Sequence, residues 1–224
     1  MTLFTAIAAA AAFASSAQAA VIAPGTVTAT ARSEFNFNSG WNRLATSTVN
    51  GSGMVSGEGA TGLHTNASQS VAYGWQVNQP GNIAHWFKVD LGDTYDVGKM
   101  HVWNGHGNSW NGIKTADIYY STTDSGNNTA NDEADFNTSG WNLLTAGQAF
   151  QQQANPGDNF GPTDTIALDV TARYIVLNIS EAWGGINTTS IGELQFEEAV
   201  AVPEPATMGL LALGGLALLR RRRA

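Results

Sequence analysis

The sequence predicts an all-β protein, an antiparallel β-sandwich, on three observations. Apolar and polar side chains alternate in short runs. In His85-Trp86-Phe87-Lys88-Val89-Asp90-Leu91, Phe87, Val89 and Leu91 fall on one face and Trp86, Lys88 and Asp90 on the other. Glycine- and asparagine-rich clusters separate these runs, at Gly92-Asp93, 104–112, 124–131, 155–158 and Gly184-Gly185. No amphipathic helical stretch longer than about two turns precedes residue 203. Short strands joined by turns, with no helices to cross over a parallel sheet, pack as antiparallel layers.

Taken in order, the chain opens with a signal peptide over 1–19. Residues 3–14 form its apolar region and Ala17-Gln18-Ala19 fits the small-x-small cleavage pattern, although no Lys or Arg precedes the apolar run. Residues 20–48 are an N-terminal lead with a first strand. Further strands fall at 85–91, 100–103, 116–120, 166–170, 173–179 and 191–196. With no cysteine in 224 residues, neither disulfides nor thiolate chemistry contributes.

The body, 20–201, suits one domain. It keeps six basic residues (Arg32, Arg43, Lys88, Lys99, Lys114 and Arg173) against 17 acidic ones, a net charge of −11 where the whole chain stands at −8. Such a surface argues against nucleic acid, whose phosphates need clustered Lys and Arg, and against adsorption on anionic lipid. It suits neutral polar ligands or divalent cations.

A linker, 198–202, leads into three zones in fixed order. Pro203 and Pro205 hold Glu204 in extended backbone that a processing enzyme can read. Residues 206–219 are apolar, and Arg220, Arg221, Arg222 and Arg223 follow. The apolar run makes a helix of about 21 Å against a bilayer core of about 30 Å. Snorkelling arginines lengthen the effective span, and their charge stays on the cytoplasmic side. This order over 203–224 resembles the PEP-CTERM sorting signal of Gram-negative bacteria. The resemblance implies export, a short transmembrane helix as a transient inner-membrane anchor, processing by an exosortase, and release to the cell surface or extracellular matrix.

The strands carry a second resemblance. Trp86-Phe87-Lys88-Val89-Asp90-Leu91-Gly92 is similar to the core strand of discoidin-like (coagulation-factor type C) domains. Val97 to Asn104, Ile118-Tyr119-Tyr120-Ser121-Thr122, Tyr174-Ile175-Val176-Leu177 and Ile191-Gly192-Glu193-Leu194-Gln195-Phe196 resemble later strands in the same order. Val49-Asn50-Gly51-Ser52-Gly53-Met54 and His64-Thr65-Asn66 resemble the opening loops of a bacterial branch. The resemblance covers 49–197 and implies a jelly-roll, galactose-binding-like sandwich. The chain lacks that family's cysteine pair and its Asp-Gly-x-x-x-Thr loop.

No catalytic constellation is present: no Gly-x-Ser-x-Gly elbow, His-Glu-x-x-His or P-loop, and no cysteine nucleophile. His101 points out of a strand and His106 lies in a loop, so the pair does not read as a metal site. Asp132-Glu133-Asp135 lacks the register of a calcium-binding helix–loop–helix and reads as a solvated charge run. The protein is expected to be no enzyme.

Carbohydrate binding needs exposed rings for apolar sugar faces and planar polar groups for hydroxyls. Trp103-Asn104-Gly105-His106-Gly107-Asn108-Ser109-Trp110-Asn111-Gly112 mixes these types in one loop. Trp75 and Trp183 lie in other loops that could converge on it. Trp86 and Trp103 read as packing residues, whereas Trp110 and Trp183 fit packing or ligand contact equally. The candidate ligand-binding residues are therefore Trp110, Trp183, His106, Asn108, Asn104 and Trp75. In sugar-binding relatives a structural calcium is held partly by a Glu at the position of Glu193, so the resemblance implies a calcium site there. Capping of a loop N–H by Glu193 is the other reading. The expected function is a non-catalytic surface or matrix protein whose discoidin-like module binds a polysaccharide or other glycan. The alternative is a structural or adhesive protein that uses the sandwich for protein contacts.

Overall fold

The computed structural model describes residues 19–200 except 36–41, 66–72, 78–83, 106–110, 132–133, 155–158 and 185–188. The signal peptide and the whole sorting tail, including Pro203, Glu204, Pro205 and Arg220 to Arg223, lie outside the described residues. Ala19–Ala199 form one compact unit. The elements are β1 (Thr28–Ala31), β2 (Met54–Ser56), β3 (Leu63–His64), β4 (Trp75–Gln76), β5 (His85–Asn104), β6 (Ile113–Ser121), β7 (Asn142–Ala149), β8 (Asp164–Ala182) and β9 (Ser190–Glu198). Three short 3₁₀ turns, at Pro24–Thr26, Ala45–Thr48 and Gly59–Thr61, are the helical content of the described residues.

The strands hydrogen-bond in the order β4-β9-β5-β8-β6-β7, with β1 on β5 and with β2-β3 as a separate pair. Every pairing is antiparallel. The long strands β5 and β8 each merge two expected strands. Gly92-Asp93, expected as a turn, instead sits inside β5 with Gly92 at φ +87°. Between the pairs Asp90↔Tyr174 and Tyr95↔Ala172, residues 91–94 face Arg173 alone. Extra residues on one strand bend it and increase its twist. The first half of β5 pairs with β1 and the second half of β8, which continues to β6 and β7. The second half of β5 pairs with the first half of β8 and with β9. Two layers thus share two bent strands. A bulge glycine and a turn glycine carry the same sequence signature, which is why the merger was hidden.

Phe87, Leu91, Met100, Ile118, Ile175, Leu177, Ile179 and Phe196 fill the core and are fully buried. Each contributes roughly 1.5–3 kcal/mol by leaving water. The lead, 20–48, is built into this unit: Val21 bridges Glu197, Ile22 N donates to Phe196 O at 2.8 Å, and β1 lies on β5. The face that carries Trp86 is also covered. There Trp86, Trp141, Tyr174 and Val176 form a second cluster with Tyr119 and Phe136. Lys88, on the same face, is satisfied by Asp124 Oδ2 at 2.8 Å and Asn128 O at 3.1 Å.

His101 does not point outward. It is buried between Thr165 Oγ1 and Glu197 Oε1, each 2.9 Å from a ring nitrogen. Gly59 packs on its partner, since a Cβ there would lie 2.6 Å from Glu197 Oε1, and the alternation of β5 does not reveal that cover.

Candidate functional site

Because β5 and β8 bend back, both ends of each return to one end of the sandwich, where β6 and β9 begin and β7 ends. Asn104 ties this end together. Its amide nitrogen donates to Ile113 O and Gln151 O, both at 2.7 Å, and its Oδ1 accepts from Ile113 N at 2.7 Å. A Cβ at Gly112 would lie 2.7 Å from Asn104 Oδ1, so the residue beside this clamp has to be glycine. Ser190 N donates to Asn111 O at 2.7 Å, Val77 N to Thr189 O at 3.0 Å, and Thr163 N to Val102 O at 2.8 Å.

The anticipated residues separate into four groups. Trp183 is 39% exposed, and its backbone N–H donates to Gly112 O at 3.0 Å. Lys114 Nζ stands 5.9 Å from the Trp183 ring centre and is itself paired with Glu181 Oε2 at 2.8 Å. Trp75 is fully buried, edge-on to Phe87 with ring centres 5.0 Å apart, and its Nε1 donates to Ser33 O. It is a core side chain and offers no face to a ligand. Asn104 is also fully buried with its amide spent on backbone groups, so it shapes the loop end and does not contact a ligand directly. His106, Asn108 and Trp110 lie outside the described residues, in the loop between Gly105 and Asn111.

The β7–β8 connection is not among the anticipated site segments. A groove of about 470 Å³ runs along it, lined by Gln151, Gln152, Gln153, Asn159, Phe160 and Thr163 among others, none of them charged. Among the described residues the carboxylate beside it, Asp164, is turned into the wall: it accepts from Gln151 N at 3.1 Å and from Thr163 Oγ1 at 2.9 Å. Burial pushes its pKa up. The run Gln151-Gln152-Gln153 before a turn cluster was the available signal.

Glu193 sits on β9 beside Trp103, under the loop 49–65. Its Oε1 accepts from Gly51 N at 2.9 Å, the capping geometry. Its Oε2 and Trp103 Nε1 are buried without a hydrogen-bond partner. Burial pushes the Glu193 carboxyl up to about 9, against the pull of Gly51 N–H and Gln195. The unpaired buried oxygen of Glu193 is an acceptor that a bound cation would address, while the loop contact of the same carboxyl is to an N–H. Among the described residues no three His, Asp or Glu side chains group as metal ligands.

The geometry defines an all-β module with one end built from strand termini and their connecting loops. Residues 201–223 match the PEP-CTERM protein-sorting motif, so the chain is an exported protein sorted through a C-terminal signal. In fold it is similar to the family 32 carbohydrate-binding module of Clostridium perfringens NanJ in complex with galactose, at 17% identity and a TM-score of 0.51, over 81% of this chain and 100% of that one. It is similar also to a third family 32 module, from a family 31 glycoside hydrolase of Clostridium perfringens, at 16% identity and a TM-score of 0.52, over 80% and 95% of the chains. The fifth family 32 module of a Clostridium perfringens family 89 enzyme, solved with GalNAc-β-1,3-galactose, matches at 17% identity and a TM-score of 0.50, over 79% and 99%. No curated protein sequence matches the chain.

Proposed function

We propose that this protein is a non-catalytic module, carried to the cell surface or extracellular matrix by its tail, that binds neutral glycans at the loop end around Trp183. One observation carries the reading. Trp75, Trp86, Trp103 and Trp141 are buried, and Trp183 is the tryptophan left at the surface among the described residues. A half-exposed indole beside polar loops provides a stacking face for the apolar side of a sugar ring. The carboxamides of the adjoining groove supply donors and acceptors for hydroxyls without charge. Galactose and GalNAc-galactose, bound by two of the similar modules, are ligands of this neutral kind. His106, Asn108 and Trp110 remain candidates for the same surface, since the flanking Gly105 and Asn111 lie at this end.

The net charge of −11 over 20–201 disfavours uronates and sialylated chains. Among the described residues Asp164 is the carboxylate beside the groove, and it is committed to the wall. Calcium belongs to the same reading. Glu193 Oε2 and backbone oxygens of the loop 49–65 would hold it, and it would tie that loop to β9. Processing by an exosortase after a transient inner-membrane stage completes the proposed route.

The test is retention of the exported chain on immobilised neutral galactan, polygalacturonate and chitosan. Retention on galactan alone is the expected result. Retention on none of the three, or on polygalacturonate most strongly, would refute the reading.

A further inference from the structure

Trp183 and the groove open at the same end of the sandwich but stand on different layers. Trp183 follows the second half of β8, which pairs with β6, and its N–H donates to Gly112 O. Thr163, in the groove lining, precedes the first half of β8, which pairs with β5, and its N–H donates to Val102 O. Asn104 crosses between the two. Its backbone N–H donates to Thr163 Oγ1 at 3.3 Å and its amide to Gln151 O, both groove residues, while the same amide holds Ile113 and lies against Gly112. Packed sheets stand roughly 10 Å apart, and that sets the scale of the separation.

The groove has an aromatic ring of its own. Phe160 lines it and is half-buried. Its backbone is fixed on both sides by one residue of β3: Phe160 N donates to His64 O at 3.0 Å, and His64 N donates to Phe160 O at 2.9 Å. The fully buried His64 ring meets the Phe160 ring edge-on, with centres 5.7 Å apart. Pro162 stiffens the same lining two residues on. A ring anchored in this way is ordered before any ligand arrives, so little entropy is lost when one binds. Gln151 and Gln152, on the other side of the lining, are exposed.

We infer that the site takes a chain of linked sugars and not a single terminal residue: one sugar stacks on Trp183 while another lies in the groove against Phe160, its hydroxyls met by Gln151 and Gln152. The inference rests on the reading of Trp183 as a stacking face. A lone pyranose ring does not reach from one layer to the other, whereas an oligosaccharide does. The groove volume of about 470 Å³ falls within the range of ligand sites, about 300–1,000 Å³, and leaves room for a sugar beyond the one on Trp183. Once the first sugar is bound, the linkage holds the next at high effective concentration beside the second ring, so the two contacts reinforce each other. Asn104 is the positioning residue that fixes their spacing.

The experiment is isothermal titration of galactose and of galactotetraose into the exported chain, wild type beside Phe160→Leu and Gln152→Ala. Leucine keeps an apolar contact with His64 and removes the flat ring, and Gln152 is exposed, so the fold survives both changes. The expected wild-type Kd for the tetrasaccharide is about tenfold below that for galactose, the effect of one further stacking contact. That ratio should fall by about threefold or more in each variant, with unchanged melting temperature. A tetrasaccharide bound no more tightly than galactose, or a ratio untouched by both substitutions, overturns the inference and leaves the Trp183 reading standing. Absence of binding by both sugars removes that reading, and this inference with it.

Discussion

Glu193 enters the interior with one carboxylate oxygen bonded to Gly51 N–H and the other bonded to nothing, beside an equally unpartnered Trp103 indole nitrogen. Leaving such groups buried costs on the order of 1–3 kcal/mol each unless something fills the gap. A cation bound there would satisfy the Glu193 oxygen, though not the Trp103 N–H, which needs an acceptor, and would stabilise the folded state by about 2.7 kcal/mol at a hundredfold excess over Kd. Calcium should therefore raise the melting temperature of the wild type in differential scanning calorimetry and leave that of Glu193→Gln unmoved. An equal rise in both would place the cation elsewhere. Trp183 is the contrasting residue: it is exposed, so its removal should leave folding intact.

At the scale of elements, the loop end is held by strand termini, not by the loops themselves. Asn104 joins the end of β5 to the start of β6 and to Gln151, two residues beyond β7, through three 2.7 Å bonds. Asn104→Ala should cost roughly 2–4 kcal/mol in urea unfolding, because the Ile113 and Gln151 backbone groups lose their partner. A cost below about half a kilocalorie would show that the clamp is dispensable.

The strands were legible where alternation is strong, as at 85–91 and 173–179, and Glu193 was correctly placed on the closing strand. The bend of β5 was not, since Gly92 at positive φ reads equally as turn or bulge. β7 escaped notice because an edge strand open on one side and thinly packed on the other carries little alternation. Trp75 looked like a loop residue, yet its two-residue strand pairs with β9 and sinks the ring into the core. Short strands are set by partners distant in sequence, and local pattern does not encode those.

For the whole molecule, two parts do two jobs. The sorting motif at 201–223 carries four of the chain's ten basic residues, and the acidic sandwich remains once it is removed. Intact-mass spectrometry of the exported protein should find a chain ending near Pro205. Replacing Pro203, Glu204 and Pro205 by Ala should hold the full-length species in the membrane fraction, whereas an exported, intact Arg-terminated chain would contradict processing. The ligand is the claim on which the functional account turns. Isothermal titration of a galactose-containing oligosaccharide into wild type and Trp183→Ala tests it most directly. Loss of one stacking face, worth about 1.4 kcal/mol, should raise Kd about tenfold with the melting temperature unchanged. Equal affinity in the two proteins, or no heat of binding in either, would contradict it.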